Sequence, residues 1–214
     1  NEIADLCEKV GADVHDVARG IGLDRRIGAK FLHPGPGFGG SCFPKDTRAL
    51  FETSLAADAP LQIVETVIEI NEKRKKAMAT RVINACNGSL TNKRIAVLGL
   101  TFKPNTDDMR ESPSLDILSE LIKRGATIRA YDPEGMGEAR RLLSDVEFCD
   151  SSYATLEEAD ALVLITEWNE FRALDLDRVK SLMRTPVIID LRNIYDPNDM
   201  TAKGFAYSSI GRPQ

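Results

Sequence analysis

The chain has 214 residues, of which 43% are hydrophobic and 29% charged, which is enough apolar material for one or two globular domains. Its formal net charge of -5 argues against general binding of nucleic acid or of an anionic membrane, so an anionic ligand must be held by a few focused basic residues. No apolar run reaches the roughly 18 residues of a membrane span. Four cysteines without CxxC spacing predict neither a disulfide framework nor a metal site, and they indicate a reducing cytoplasm.

The first segment has the spacing of short helices. From residue 3 onward, apolar side chains recur three and four residues apart, which predicts a helix whose C-terminal cap is Gly11. Asp13 is a suitable N-terminal cap for a second short helix that extends through Arg19. The opening of the chain is therefore predicted to be helical.

A glycine-rich turn over residues 35–42 ends in Cys42, and charged residues follow it. Four glycines in six positions leave the backbone free to lie close against a ligand, so the turn presents the thiol. Unpaired cysteines are more often small core residues, and this is the interpretation for Cys7, Cys86 and Cys149, which lie in apolar patterns. Cys42 is the predicted nucleophile.

A long helix is predicted from Leu61 to Asn87, with Gly88 closing it. At 1.5 Å per residue it is about 40 Å long, which is more than a small helical domain needs, so we expect it to bridge domains or subunits. Its basic run, residues 72–76, is typical either of a nucleic-acid patch or of a solvated helix face. The acidic composition favours the solvated face, and no function is assigned to the run.

The pattern changes near residue 88, which predicts a boundary between residues 1–88 and 89–214. Beyond it, short apolar runs alternate with helical stretches, and this alternation predicts a parallel sheet with helices on both faces. The predicted strands are residues 95–100, 127–131, 146–149, 161–165 and 187–189, and the predicted helices lie near residues 113–124, 135–144 and 175–183.

Parallel sheets bind ligands beyond the carboxyl ends of their strands, so the loops after the predicted strands are the expected binding region. In the first of these loops, Ser112 and Pro113 form a cap and a first helical position suited to an anion. Lys103 and Arg110 precede them. Such side chains are more often solvated or ion-paired than bound to a ligand, but an acidic protein needs this focused positive charge to hold an anion. Arg192 is a weaker candidate for the same polar region.

The motif from Arg26 to Asp46 strongly resembles the signature of the UDP-glucose/GDP-mannose dehydrogenase family, and its sequence is most similar to that of members that oxidise UDP-glucose. The resemblance covers nearly the whole chain in the right order, continuing through residues 99–113, 130–133, 166–168 and 190–193. It implies an α/β fold: a helical central dimerisation region over residues 1–88, followed by a Rossmann-like UDP-sugar-binding domain over residues 89–214.

Members of this family also carry an N-terminal NAD-binding Rossmann domain, and nothing in the chain supplies its glycine-rich strand-to-helix turn. We therefore expect the chain to be the central and C-terminal portion of such an enzyme. By the same resemblance, the family's catalytic lysine and asparagine lie upstream of Asn1. The chain is expected to form a homodimer through the long helix and to lack turnover on its own.

The chemistry that the resemblance implies is a two-step oxidation of the C6 alcohol of UDP-glucose to a carboxylate, with NAD as the acceptor. Cys42 would trap the intermediate aldehyde as a thiohemiacetal, and its oxidation would give a thioester that water hydrolyses. Asp46, one helical turn past Cys42 if a helix begins at Pro44, would orient that water.

The remaining site residues also follow from the resemblance. Lys45 and Arg110 are expected at the cofactor, with Lys45 also favouring the thiolate, and Arg26 is expected to contact the sugar across a dimer. The substrate loop and its partners are expected to be Phe31, Leu32, His33, Pro34, Gly35, Gly39 and Lys103.

Two alternatives remain open from the sequence. The substrate of the enzyme is GDP-mannose instead of UDP-glucose, because the motif does not encode the choice of base. Alternatively, the chain is a non-catalytic module that binds a nucleotide-sugar and dimerises.

Overall fold

The computed structural model describes residues 1–213. The elements before the sheet are helices α1 (Glu2–Val10), α2 (Val14–Gly22), α3 (Phe43–Ala56) and α4 (Gln62–Ala85). The strands are β1 (Arg94–Leu98), β2 (Thr127–Tyr131), β3 (Val146–Phe148), β4 (Ala161–Leu164), β5 (Val187–Asp190) and β6 (Ala206–Ser209). The helices between them are α5 (Pro113–Lys123), α6 (Met136–Leu142), α7 (Ser152–Leu156), α8 (Asn169–Arg172), α9 (Leu176–Leu182) and α10 (Pro197–Ala202).

The strands form one six-stranded parallel sheet in the order β3-β2-β1-β4-β5-β6. The predicted α/β class is confirmed, and each of the five predicted strands lies within two residues of its observed ends. β6 was not predicted. Because the chain order reverses direction between β1 and β4, the carboxyl ends of these two strands flank the crevice where doubly wound sheets bind ligands.

The predicted helix ends follow local rules that the structure confirms. Gly11 ends α1 with a left-handed φ of 73°, and its N–H donates to the Cys7 carbonyl. Asp13 caps α2 by accepting a hydrogen bond from the His15 amide at 2.8 Å. α4, at 24 residues, is the predicted long helix shortened by a residue or two at each end.

Two hydrophobic clusters cover the two faces of the sheet. Alternate residues of β1 enter each cluster: Ile95 and Val97 point to one, and Ala96 and Leu98 to the other. The first cluster also contains buried residues of α1, α2, α4, α5 and α6, and the second those of α7 to α10. The helical first part therefore shares a core with the sheet, and the domain boundary near residue 88 stays a prediction.

The interpretation of the basic run in α4 as a solvated face was wrong for two of its residues. Arg74 is 5% exposed and Lys75 only 2%, whereas Lys73 and Lys76 face solvent. The helix turns the two buried cations toward carboxylates and carbonyls that lie far away in the sequence. Within residues 1–213, no helix is both long and apolar enough to cross a membrane.

Candidate active site

Cys42 lies at the N-terminus of α3 and is exposed, whereas the other three cysteines are buried. Its carbonyl accepts the Asp46 amide at 2.9 Å, so Asp46 follows one helical turn later, as predicted. The Ser41 hydroxyl lies 3.6 Å from the thiol sulfur. A helix N-terminus favours negative charge, which suits a cysteine that reacts as a thiolate.

Two exposed cations interact electrostatically with Cys42. The Asp46 carboxylate raises the pKa of the Lys45 ammonium through their ion pair, and Cys42 adds a smaller contribution. Asp108 raises the pKa of Arg110 through a bidentate ion pair, in which Arg110 Nε lies 2.9 Å from Asp108 Oδ1 and Nη2 lies 2.9 Å from Oδ2. Cys42 again adds a smaller contribution. The structure thus gathers the predicted nucleophile, its neighbouring carboxylate and both predicted cofactor residues.

The glycines of the turn let it lie against the loop that follows β1. A Cβ on Gly39 would be 2.3 Å from the Glu111 carbonyl oxygen. Gly40 has a φ of +90°, and its Cβ would be 2.7 Å from the ring of Phe102. The Gly40 amide also donates to the Arg110 carbonyl at 2.8 Å. Only glycine fits these two positions, so the turn and the Arg110 loop form one surface.

One face of α4 holds the same turn from the other side. Asn71 pairs with both backbone groups of Phe38, accepting from its amide at 2.8 Å and donating to its carbonyl at 3.1 Å. Arg74 Nε donates to the Gly35 carbonyl at 3.0 Å. Asn71 and Arg74 were not predicted as site residues, because the residues that they bind are more than 30 positions away in the sequence.

A cavity of about 300 Å³ opens at the carboxyl edge of the sheet. Its lining combines the predicted substrate loop, the loops after β4 and β5, and one residue each of α2 and α8: His15, His33, Pro34, Glu167, Arg172, Arg192 and Asn193. Of these, His33 and Pro34 were predicted as site residues, and Arg192 only as a weaker candidate. His15, Glu167, Arg172 and Asn193 were missed, although the strand-end rule had pointed to the loops of Glu167 and Asn193.

Arg192 ties the loops of the cavity together. Its Nε donates to the Ile165 carbonyl at 2.7 Å and its Nη2 to the Phe102 carbonyl at 3.2 Å. The Glu167 carboxylate lies 3.1 Å from the Arg192 Nε. Burial lowers the pKa of Arg192, and Glu167 and Asp190 oppose that shift. A guanidinium held this way is a fixed positive charge at the strand ends.

Asp132, at the end of β2, fixes the start of the loop that carries Lys103 and Arg110. Its carboxylate is fully buried and accepts the amides of Leu100 and Thr101, at 2.6 Å and 3.1 Å. The Trp168 indole donates to it at 3.2 Å. These bonds join the segments that follow β1, β2 and β4, so Asp132 and Trp168 have a structural role.

The other predicted site residues are placed relative to the Cys42 turn and to the cavity at the sheet edge as follows. Gly35 is buried beside Arg192, Leu32 is half-buried, and exposed Lys103 sits 5.3 Å from the centre of the Phe102 ring. Arg26 is separate: its hydrogen bonds within residues 1–213 are all with Asp24. Phe31 is 99% exposed. The structure does not bring Arg26 or Phe31 into contact with Cys42.

Two family models match the chain. The central domain of the UDP-glucose/GDP-mannose dehydrogenase family matches residues 1–73, and the UDP binding domain of that family matches residues 96–197. Together they account for well over half of the chain. Both matches lie in the order that the sequence resemblance implied.

Individual proteins agree with these models. The chain is 60% identical over 213 residues to the UDP-glucose 6-dehydrogenase of Rhizobium meliloti (strain 1021), covering 100% of this chain and 49% of that protein. It is 48% identical over 214 residues to the UDP-glucose 6-dehydrogenase TuaD of Bacillus subtilis (strain 168), covering 100% of this chain and 46% of that protein. The chain therefore spans about half the length of the curated relatives that it matches.

A solved structure shows the same fold. The UDP-glucose dehydrogenase of the archaeon Pyrobaculum islandicum superimposes with a TM-score of 0.84 at 33% sequence identity, covering 97% of this chain and 46% of that one. Sequence motifs, sheet topology, family models and this superposition all agree. The chain belongs to the UDP-glucose/GDP-mannose dehydrogenase family.

Proposed function

We propose that the chain is the catalytic-cysteine and nucleotide-sugar-binding portion of an NAD-dependent UDP-glucose 6-dehydrogenase. The observation that carries the proposal is the placement of Cys42: an exposed thiol at a helix N-terminus with Lys45 and Arg110 beside it. The 60% identity to a protein named for this activity supports the choice of substrate. On this proposal, the residues of an NAD-binding domain lie outside these 214.

Cys42 holds the substrate between the two oxidations. Its thiolate adds to C6 of the aldehyde, and the carbonyl oxygen takes up a proton to become the hydroxyl of a thiohemiacetal. Oxidation of that carbon gives a thioester on Sγ, and water then releases the carboxylate and the free thiol. A thioester hydrolyses more readily than the ester that a serine would form, which accounts for cysteine at this position.

The neighbours of Cys42 supply charge and proton transfer. Asp46 lies one turn along α3, where its carboxylate can accept a proton from the hydrolytic water. Lys45 and Arg110 place positive charge where a thiolate and an oxyanion form.

NAD, when bound, would supply the acceptor for the hydride removed from C6 in each oxidation. The residues fit one part of this cofactor, because Lys45 and Arg110 are exposed cations next to the thiol. They do not supply its main cradle: β1 runs into the long connection of residues 99–112, not into the tight strand-to-helix turn of a dinucleotide fold.

The cavity at the sheet edge is the proposed nucleotide end of the substrate site. His33, Pro34 and Arg192 line it, and Gly35 lies against the Arg192 guanidinium. Lys103, in the Arg110 loop, is the proposed contact with the sugar diphosphate. A fixed cation at strand ends suits a diphosphate in a protein whose net charge is negative.

Homodimerisation is part of the proposal. Apolar side chains of α3 and the first half of α4 are exposed: Leu50, Leu55, Ile63 and Val67. Ile63 alone is 82% exposed, which is unusual for a helix that has no partner. A second copy on this face would also explain why the hydrogen bonds of Arg26 to residues 1–213 are all with Asp24, since its proposed contact is with sugar bound to that copy. We assign the assembly to the cytoplasm, because all four thiols are free.

Calorimetry with UDP-glucose, and GDP-mannose as the paired control, tests the substrate assignment. We expect UDP-glucose to bind with at least about tenfold higher affinity, which corresponds to roughly 1.4 kcal/mol. Tighter binding of GDP-mannose would replace the proposed substrate by the alternative one. Formation of NADH by the 214 residues alone would contradict the proposal that the cofactor site lies elsewhere.

Turnover tests the role of Cys42. In the complete protein that carries these residues, Cys42→Ser should lower UDP-glucuronate formation by about a hundredfold or more, because the aldehyde is no longer trapped. Cys149→Ser is the matched control, since that thiol is buried in another part of the fold. Wild-type turnover by the Cys42→Ser variant would refute the covalent mechanism.

A further inference from the structure

We infer that Lys75, on the buried face of α4, is a positioning residue that fixes the Cys42 turn against the Arg110 loop. The inference rests on the proposed function, in which the thiol and Arg110 act at one substrate. Lys75 belongs to the basic run of residues 72–76, to which no function was assigned from the sequence. It touches neither Cys42 nor Arg110 and would act through the residues that hold them.

The Lys75 ammonium is surrounded by three carboxylates and is 2% exposed. Its Nζ lies 3.2 Å from Glu72 Oε1, 3.6 Å from Glu111 Oε2 and 3.5 Å from Asp116 Oδ2. These carboxylates come from α4, from the Arg110 loop and from the first turn of α5. One buried cation therefore joins three segments.

Arg48 completes the cluster from α3. Its guanidinium forms a fork with Glu111, with Nη1 3.0 Å from Oε1 and Nη2 3.1 Å from Oε2. It also lies 3.5 Å from Glu72. Since α3 begins immediately after Cys42, Arg48 connects the helix that presents the thiol to the same carboxylate that Lys75 contacts.

The ion pairs of the Glu111 side chain also hold the backbone of Glu111 in place. Glu111 adopts a left-handed φ of 54°, which is uncommon for a residue other than glycine. Its carbonyl oxygen is the atom that leaves no room for a Cβ on Gly39, and the preceding Arg110 carbonyl accepts the Gly40 amide. Anchoring the Glu111 side chain therefore fixes the contact between the two loops.

The stem of Lys75 supports the turn as well. A Cβ on Gly37 would be 3.1 Å from Lys75 Cγ and 2.9 Å from Asn71 Oδ1, so the turn lies directly on α4. Asn71, Arg74 and Lys75 are spaced three and four residues apart, which puts them on one helix face. That face bonds the turn at Phe38 and Gly35 and the Arg110 loop at Glu111.

Removing the charge of Lys75 should loosen both loops while leaving the sheet intact. Lys75→Met keeps the length of the stem and leaves three carboxylates with Arg48 as their remaining cation in the cluster. Lys76→Met, at the exposed neighbouring position, is the matched control. Lys75→Arg restores the charge.

Amide hydrogen exchange in the complete protein, without substrate, is the direct test. We expect the Gly40 and Phe38 amides to exchange about tenfold faster in Lys75→Met than in Lys76→Met, with the β1 amides unchanged. Equal rates in the two variants would overturn the inference. If Lys75→Met does not fold, Arg48→Met decides in its place, because Arg48 is only half-buried. Unchanged Gly40 exchange in that variant would overturn the inference equally.

Steady-state kinetics separates positioning from a purely structural role. Lys75→Met should lower kcat by about ten- to a hundredfold, because small displacements of a reacting group have effects of this size. KM for UDP-glucose should change by less than about threefold, since Arg192 holds the cavity through other bonds, and Lys75→Arg should recover most of kcat. An unchanged kcat, or a loss confined to KM, would overturn the inference. If the wild-type protein oxidises no UDP-sugar, the proposed function fails, and hydrogen exchange still decides this inference.

Discussion

The side chain of Asn71 closes a ring of two hydrogen bonds with the backbone of Phe38. The Phe38 amide donates to Oδ1 at 2.8 Å, and Nδ2 donates to the Phe38 carbonyl at 3.1 Å. This segment forms no helix or strand that would satisfy its own backbone. The Asn71 side chain therefore satisfies the N–H and C=O of Phe38, as a neighbouring strand does for the backbone groups within the sheet.

Asn71→Ala should destabilise the protein by about 1–3 kcal/mol, because both backbone groups of Phe38 lose their partner in a partly buried place. Asn84→Ala, at an exposed position of the same helix, should change the free energy of unfolding by less than about 0.5 kcal/mol. Urea denaturation measures both. Equal effects of the two substitutions would show that the ring adds nothing to stability.

A methyl group on Gly39 should force the two loops of the site apart. Its Cβ would be 2.3 Å from the Glu111 carbonyl oxygen, well inside van der Waals contact. We expect Gly39→Ala to cost about 1–3 kcal/mol, as overpacking does in cores, and to weaken UDP-glucose binding. The control is Gly137→Ala in α6, where a Cβ meets nothing within 4 Å and should be neutral or stabilising. Thermal unfolding that ranks the two variants in the opposite order would contradict this contact.

Local patterns predicted the elements whose own residues carry the signal. β4 is apolar throughout and β1 is apolar after Arg94, and Gly11 and Asp13 are caps whose chemistry acts within a few residues. β6 was missed because Ala-Tyr-Ser-Ser carries little apolar pattern, and it becomes a strand only by pairing with β5.

The site was predicted where one motif contains it and missed where distant segments meet. Cys42, Lys45 and Asp46 share five positions of sequence, and the structure places them together. Lys75 was misread because the burial of a cation depends on partners elsewhere in the chain, here Glu111 and Asp116. No spacing rule within α4 encodes those partners.

The ion pair between Arg48 and Glu111 should make stability depend on pH in the acid range. Arg48 lowers the pKa of Glu111 below its ordinary value of 4.5, with a further contribution from Lys75. The unfolded chain therefore takes up the Glu111 proton at a higher pH than the folded protein. The stabilisation is present in full above about pH 4.5 and is lost as the pH falls through the lower folded pKa.

Arg48→Met should reduce this loss of stability on acidification, because Glu111 no longer gains its partner on folding. Urea unfolding between about pH 6 and pH 3 measures the slope. Asp108, whose pKa Arg110 lowers, contributes a slope of the same sign in every variant, so the difference between variants is the informative quantity. Lys76→Met serves as the control, and a slope in Arg48→Met equal to that of the control would contradict the assignment.

His15 should titrate at lower pH than an ordinary histidine. Burial lowers its pKa below 6.5, Arg212 and His33 lower it further, and Asp13 and Asp16 oppose them. Since the chain has two histidines, proton NMR resolves both ring signals, and His33→Gln assigns them. We expect a His15 midpoint below 6.5, and a higher midpoint in Arg212→Gln because a repelling cation is removed. A His15 midpoint at or above 6.5 would contradict its burial.

The same titration tests whether the cavity at the sheet edge takes a diphosphate. His15 lines that cavity together with His33, so a bound anion would favour the protonated form of His15. Saturating UDP should therefore raise the His15 midpoint, and the apparent affinity for UDP should increase as the pH falls through that midpoint. Inorganic sulfate at the same ionic strength controls for screening. If UDP binds and the His15 midpoint stays where it was, the nucleotide lies elsewhere, and the assignment of His33 and Arg192 to its site is wrong.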